Sequence, residues 1–333
     1  MRKIFDESFE NIFSVESLLV AWQAFLPGKR GKKDVQAFGE RLMDNIFALH
    51  VDLMAGIYRH GAYHEFRISD PKPRVIHKAS VRDRLLHHAI HAALYPFFDR
   101  LFISDSYSCR IRKGTHKAMD RFREYGRKAS RNHTRTCWVL KCDIRKFFAS
   151  VDHSALMSLL EERIQDRRFL DLLANVIESF HVLPGKGIPL GNLTSQLFAN
   201  IYLNELDQFM KQTLHVRYYV RYADDFVILH PDRDCLTRVL LAVDIFLRTR
   251  LDLRLHPQKV SISTFASGID FLGWVHFPYY RVPRIKTKQR AIRRVIETSD
   301  ERTLASYLGL FSHGEAHEFE RDLENLFWSE RTP

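Results

Sequence analysis

From Ser14 to His60 apolar residues recur at helical spacing, and the run is broken once, by the basic turn Pro27-Gly28-Lys29-Arg30-Gly31-Lys32-Lys33. The period then changes. Glu65 to Lys78 reads as a pair of strands turning at Asp70-Pro71-Lys72-Pro73, and a helix follows from Val81 to Phe98. The apolar run beginning at Trp138 predicts a strand that ends in the acid Asp143, and Leu197 to Phe209 predicts an apolar helix. Val216 to Arg221 and Phe226 to Leu229 predict two short strands joined by a tight turn. An amphipathic helix from Leu236 to Leu251 then leads through Leu253-Arg254-Leu255-His256-Pro257-Gln258-Lys259 into another strand. No internal repeat, low-complexity tract or Gly/Ser linker separates these segments, so subdomains built from them are expected to pack directly on each other.

The tight turn carries chemistry. Tyr222-Ala223-Asp224-Asp225 presents two adjacent carboxylates at the tip of a hairpin. Two-metal nucleotidyl transfer needs closely spaced carboxylates, because the cations sit roughly 3.5–4 Å apart while one activates a hydroxyl and the other carries the leaving group. Asp is also a common turn residue for conformational reasons, so the pair alone does not decide. A second source of carboxylate does: Asp143, at the end of an apolar strand and followed by Phe147-Phe148, would bring three acids onto one metal pair if its strand lies beside the hairpin.

At this point the chain resembles the palm of reverse transcriptases, in which one acid comes from such a strand and two from a Tyr-x-Asp-Asp hairpin. The resemblance covers about residues 60 to 320. It implies an α+β, right-hand polymerase fold, with an N-terminal helical extension over residues 1–60 and fingers over 61–135. A palm of antiparallel sheet plus helices would span 136–280, with fingers-associated helices around 153–195, and a helical thumb would span 281–333. It implies Mg²⁺ as cofactor, two ions with Mn²⁺ able to substitute, held at Asp143, Ile144, Asp224 and Asp225. Phe148 matches the aromatic that stacks under the incoming sugar and excludes a 2′-hydroxyl; an ordinary core aromatic is the alternative. Lys259 matches a lysine that protonates departing pyrophosphate; a solvated strand-end lysine is the alternative. Arg74 and Lys72 lie in a segment, with Lys78, Arg82 and Arg84, whose cations fold over the triphosphate in that family. Guanidinium suits phosphate because it binds in a bidentate fork.

The stretch from Ser106 to Ala118 resembles the bacterial element that runs along the template strand, which puts Arg110, Arg112 and Lys113 on nucleic acid, together with Tyr222. Phe271-Leu272-Gly273-Trp274 resembles the primer-grip turn, its Gly273 allowing a tight bend. Seven Lys/Arg fall between Arg281 and Arg294, among them Lys286, Lys288 and Arg290, ahead of helices resembling a thumb that tracks an RNA–DNA duplex. In that thumb Gly309 is expected to let helices approach closely. Gly187 to Gln196 is the most discriminating stretch. An apolar residue, Gly, three variable positions, Ser and Gln mark the reverse transcriptases of diversity-generating retroelements, and Leu190, Gly191, Ser195 and Gln196 fit. Leu190 and Gln196 are thereby assigned to the nucleotide and Gly191 to close approach of backbone to a base. The implied activity is error-prone cDNA synthesis from a template-repeat RNA with dNTPs, assisted by a basic accessory protein encoded nearby. A solitary defence-associated or retron-like reverse transcriptase is the alternative.

Composition narrows the rest. The chain has 333 residues, 45% of them apolar, enough for a large core. A net charge of +11 points to a polyanionic partner, since Lys and Arg gain affinity by displacing counterions from phosphate. Cys109, Cys137, Cys142 and Cys235 show no Cys-x-x-Cys spacing, so neither a zinc site nor a disulfide framework is supported and a reducing cytoplasm fits. No apolar run approaches membrane-spanning length. His87 and His91 share a helical face, where backbone contact or solvation is expected rather than metal. The chain ending soon after the thumb is expected to leave no length for a nuclease or integrase domain.

Overall fold

The structure, a computed structural model, describes residues 3–69 and 73–329. Lys72 and most of the turn expected at Asp70-Pro71-Lys72-Pro73 lie outside the described residues. The chain divides into two compact units, each assembled from separated stretches: Met1–Ser104, Ile144–Leu214 and Val243–Leu255 form the first, and Asp105–Asp143, His215–Ala242 and His256–Pro333 the second.

The first unit is mainly helical. The expected N-terminal helices appear as Val15–Phe25, Lys33–Glu40 and Leu42–Met54, with the basic turn between the first two. The Ser14 hydroxyl caps the first by accepting the Ser17 N–H at 3.1 Å. The two strands β1 (His64–Ile68) and β2 (Arg74–Lys78) form an antiparallel pair. The helix Val81–Asp99 begins at a Ser80 cap and buries Leu85, Leu86, Ile90 and Leu94 completely. Its His87 is buried and both ring nitrogens meet side chains: one lies 2.6 Å from Thr194 Oγ1 and the other 3.0 Å from His60 Nε2. The side-chain partners replace the backbone contact or solvation expected for it. The apolar helix expected from Leu197 begins earlier, at Leu193, and ends in a π-helical turn over Phe209–Thr213.

The second unit holds the antiparallel sheet. Its strands are β3 (Trp138–Asp143), β4 (Tyr219–Tyr222), β5 (Asp225–His230) and β6 (Ser261–Thr264), in the spatial order β4-β5-β3-β6. Val139, Val220, Val227 and Leu229 on this sheet are buried with Phe122 and Ala129 of the helix Thr115–Ala129 and with Phe265. A three-stranded sheet of β7 (Ile269–Phe271), β8 (Trp274–His276) and β9 (Arg281–Pro283) follows. Helices Ile285–Thr298, Glu301–Phe311 and His317–Ser329 then bury Val295, Leu304, Phe311, Leu323 and Phe327 around Trp274. Gly309 is not the close-approach glycine: a Cβ there would meet nothing within 4 Å, whereas one at Gly314 would run into the Trp274 ring. Among the described residues no helix is long and apolar enough to cross a membrane, and all four cysteines are free.

Candidate active site

The hairpin forms as the pattern predicts, with β4 starting three residues later than expected and β5 one residue earlier. Tyr222 and Asp225 are cross-strand partners, so Ala223 and Asp224 make a two-residue turn. Ala223 adopts φ +54, which costs an L-residue on the order of 1 kcal/mol. The turn is held from below by Arg221, which is fully buried. Its guanidinium donates to Ala223 O at 3.1 Å and to Ser106 Oγ at 3.0 Å. The Arg221 backbone is also locked, its N–H donating to Asp105 O at 2.9 Å and its carbonyl accepting from Tyr107 N–H at 3.0 Å. The pattern of the sequence marks Arg221 only as the end of a strand. A charge inside a short apolar strand, three residues before the paired acids, was the available signal.

The register of β3 on β5 sets Asp143 opposite Asp225. Asp143 O accepts the His256 N–H at 2.8 Å, and both its carboxylate oxygens take Lys259 Nζ at 3.0 Å. Asp225 keeps some exposure as a residue, yet its Oδ1 is shut from solvent and has no hydrogen-bond partner. Burial pushes its pKa up to about 7; Lys141 opposes this, and the charges of Asp143 and Asp224 add to it. The same surroundings push the Cys142 thiol up. Among the described residues no three acids, histidines or cysteines are gathered closely enough to hold a metal as they stand. The three acids therefore come together in backbone register while Asp143 turns its carboxylate to Lys259, which relieves repulsion between like charges. A buried acid with an orphaned oxygen, opposite one acid and next to another, is a donor set that fits a hard divalent cation. Ile144, the other residue expected at the metals, belongs to the first unit, where its side chain is buried.

In the first unit two of the candidate nucleotide-binding residues, Leu190 and Phe148, join one hydrogen-bonded assembly. His77 N–H of β2 donates to Leu190 O at 3.0 Å, and the Asn192 side-chain amide donates to His77 O at 3.0 Å. Gly191 between them has φ +106, and a Cβ there would lie 2.7 Å from Ile76 Cγ2, so only glycine fits. Ile188 N–H donates to Phe148 O at 2.8 Å, tying the same loop to the short helix Phe147–Ser150. Phe147 is the core residue of that pair and Phe148 is half-buried. Arg74 is exposed on β2, and Gln196 is half-buried near the start of its helix. Lys78, Arg82 and Arg84 are spoken for: Lys78 and Arg84 bond Asp34 at 2.7 and 2.6 Å, and Arg82 bonds Asp52 at 2.5 Å. Each of the three is thus held in this structure by a carboxylate of the N-terminal helices.

In the second unit Tyr222 OH accepts from Thr115 Oγ1 at 3.2 Å, which joins the hairpin to the first turn of the helix Thr115–Ala129. Ahead of that helix Arg110 donates to Ser106 O at 2.9 Å, Lys113 lies 5.0 Å over the Tyr107 ring, and Arg112 is exposed. Leu272 and Gly273 both have positive φ, a type I′ combination that closes the β7–β8 hairpin. Gly273 O accepts the Arg284 N–H at 3.2 Å. Lys286 is exposed, and Lys288 sits 5.0 Å over the Phe319 ring on the same helix as Arg290.

Residues 69–276 match the reverse transcriptase (RNA-dependent DNA polymerase) family. The chain belongs to that family. RNA-directed DNA polymerisation is the activity that membership assigns. The chain is 28% identical to Protein YkfC of Escherichia coli K12 over 296 residues, covering 75% of each. It is 22% identical to the group II intron-encoded protein LtrA of Lactococcus lactis over 261 residues, covering 58% of this chain and 42% of that protein. Among solved structures it is similar to apo telomerase from Candida tropicalis truncated from the C-terminal domain. There the TM-score is 0.50 at 12% identity, over 67% of this chain and 55% of that one, a likeness of fold alone. The chain thus spans less than half the length of LtrA and little more than half of the telomerase chain.

Proposed function

We propose that this reverse transcriptase extends a DNA strand on an RNA template by two-metal nucleotidyl transfer, with Asp143, Asp224 and Asp225 as metal ligands. The observation that carries the reading is the Asp225 carboxylate, buried, unpartnered at Oδ1 and opposite Asp143 beside a two-residue turn. Bound there, Mg²⁺ would supply activation of the primer 3′-hydroxyl and charge stabilisation for pyrophosphate. Ionised Asp225 provides the buried negative charge, and Arg221 fixes the turn so that Asp224 and Asp225 keep their spacing. Lys259 is assigned as proton donor to pyrophosphate and Phe148 as the group that excludes a ribose 2′-hydroxyl. Arg74 and Leu190 would contact the incoming nucleotide; Arg110, Arg112 and Lys113 would follow the template strand, and Lys286, Lys288 and Arg290 the duplex backbone. Asp224→Asn is expected to abolish extension of a DNA primer on RNA while RNA binding stays within about twofold, because it removes a ligand and leaves the basic surface. Full extension by that variant sinks the assignment.

The subtype rests on Leu190, Gly191, Ser195 and Gln196, which support a polymerase of a diversity-generating retroelement. That reading makes the template a repeat-bearing RNA, gives the enzyme a basic accessory protein, and expects cDNA errors concentrated opposite template adenines. Looser packing of the nascent pair around the Gly191 turn is the physical route, since geometric selection separates right from wrong bases by only a few kcal/mol. Sequencing cDNA made on the RNA of its own locus tests it. Uniformly low error at all four template bases rejects the mutagenic reading in favour of a solitary defence-associated or retron-like enzyme.

A further inference from the structure

A hairpin turn on the second unit carries groups that nucleotide addition does not use. Strands β8 and β9 pair His276 with Arg281, which leaves Phe277-Pro278-Tyr279-Tyr280 as the connecting turn, closed by Phe277 N–H donating to Tyr280 O at 2.8 Å. The Phe277 and Tyr280 rings stack at 4.8 Å and 22°. Tyr279 is 69% exposed and Tyr280 38%. The exposed ring is held in place nonetheless. Arg123 donates to Tyr279 O at 2.7 Å, and the His133 ring meets the Tyr279 ring edge-on at 4.9 Å.

One exposed tyrosine would be ordinary surface. This one stands among uncompensated cations. Burial and then the charges of Arg123 and Arg127 lower the pKa of His133, so both guanidiniums lie close to it. Arg123, Arg127, Arg131 and Arg135 are all exposed, and none pairs with a carboxylate among the described residues. Both acids on the helix that carries Arg123 and Arg127 are taken, Asp120 by Arg281 at 3.2 Å and Glu124 by Arg121 at 2.8 Å and Lys128 at 2.5 Å. The loop that carries His133 turns through three successive left-handed residues, Arg131, Asn132 and His133, a conformation non-glycine residues avoid unless their surroundings fix it.

We propose that Tyr279, Tyr280, Arg123 and Arg127 form a platform for an unpaired stretch of RNA. A base stacks on the preset Tyr279 ring while the free guanidinium N–H groups bond the flanking phosphates. Paired bases are excluded, because a duplex offers no free base face to a side chain. The choice of RNA over DNA rests on the RNA-templated reading above: the DNA strand is paired to RNA as it is made, so the unpaired strand is the template.

The test uses the full chain in EDTA without dNTPs, so that binding is read apart from synthesis. Anisotropy is measured with a labelled oligouridylate, the matching oligodeoxyuridylate and a blunt RNA duplex of equal length. Tyr279→Ala is expected to weaken oligouridylate binding about tenfold and duplex binding less than about twofold, while Tyr279→Phe, which keeps the ring, stays near the parent. Arg127→Gln is expected to lower the salt slope by about 0.7. Circular dichroism confirms the fold of each variant. Equal loss on single strand and duplex, no loss at all, a Phe variant as weak as the Ala variant, or tighter binding of the DNA oligomer than of the RNA would each overturn the proposal. Polymerase failure with Tyr279-dependent binding intact would count against the catalytic assignment alone.

Discussion

Asp225→Asn is expected to stabilise the metal-free protein at neutral and alkaline pH while removing its polymerase activity. The Asp225 pKa stands at about 7 against an ordinary value of 3.8, because burial disfavours the charged form. About three units at about 1.4 kcal/mol each set an upper bound near 4 kcal/mol. An acid whose folded pKa is raised favours folding fully below pH 4 and loses that contribution as pH rises to about 7, so unfolding free energy should fall across that window and then level. Asn cannot ionise, but its amide inherits the unpartnered position of Oδ1, which costs about 1–2 kcal/mol. The net expectation is a variant more stable by about 2 kcal/mol above pH 7. Urea unfolding in EDTA at several pH values between 5 and 8 measures it, and subtracting the two proteins cancels the histidines, which titrate alike in both. Mg²⁺ should then raise the midpoint of the parent and not of the variant. The reasoning fails if both proteins share the same pH slope, or if the Asn variant is the weaker at pH 8.

Other substitutions probe separate links. Gly191→Ala should cost about 2–4 kcal/mol in thermal unfolding, because it forces a residue with a side chain to φ +106 against Ile76; a change below about 0.5 kcal/mol would contradict the close approach. Phe148→Ala should admit ribonucleotides in single-nucleotide incorporation assays, whereas unchanged sugar discrimination returns the ring to a packing role. Arg221→Met should lower extension far more than its loss of stability explains, seen as a fall in kcat at temperatures where circular dichroism reports full folding; unaltered kcat removes Arg221 from the support of the turn. Burial lowers the pKa of His87 to about 3 and of His88, His91 and His276 to about 4, so the stability these neutral rings contribute above pH 6.5 should be lost as pH falls toward 4. A flat acid limb in unfolding experiments would count against their burial.

Much of the site was legible because it lies on short, nearly continuous apolar strands bounded by acids. Trp138 to Asp143 and the two runs around Tyr222-Ala223-Asp224-Asp225 have one register that buries their apolar faces, and that register sets Asp143 against Asp225. What escaped were partners distant in sequence. Nothing near Lys78 or Arg84 announces Asp34, more than forty positions away, as their counter-ion, and nothing near His87 announces Thr194. Gly309 was misread because spacing on a helix says which residues share a face and not which face meets a neighbour. Arg221 was missed because a charge is ordinarily read as surface, and its burial depends on carbonyl and hydroxyl acceptors supplied by the segment Asp105–Tyr107 and by the turn itself.

The order of strands also imposes a timetable on synthesis. The central strand β3 is complete at Asp143, but its partner β5 begins at Asp225, roughly eighty residues later, and β6 later still. At about 5–20 residues per second, β3 waits on the order of 4–16 seconds with the N–H and C=O groups of both edges unpaired. No stretch cut from the chain between those points contains the sheet, so fragments ending before Thr264 would leave an open edge prone to pairing with other chains. The two facing acids do not exist as a site until the hairpin has emerged. A nascent chain is therefore expected to lean on chaperones during that interval, and the enzyme to acquire its affinity for divalent cations late and all at once.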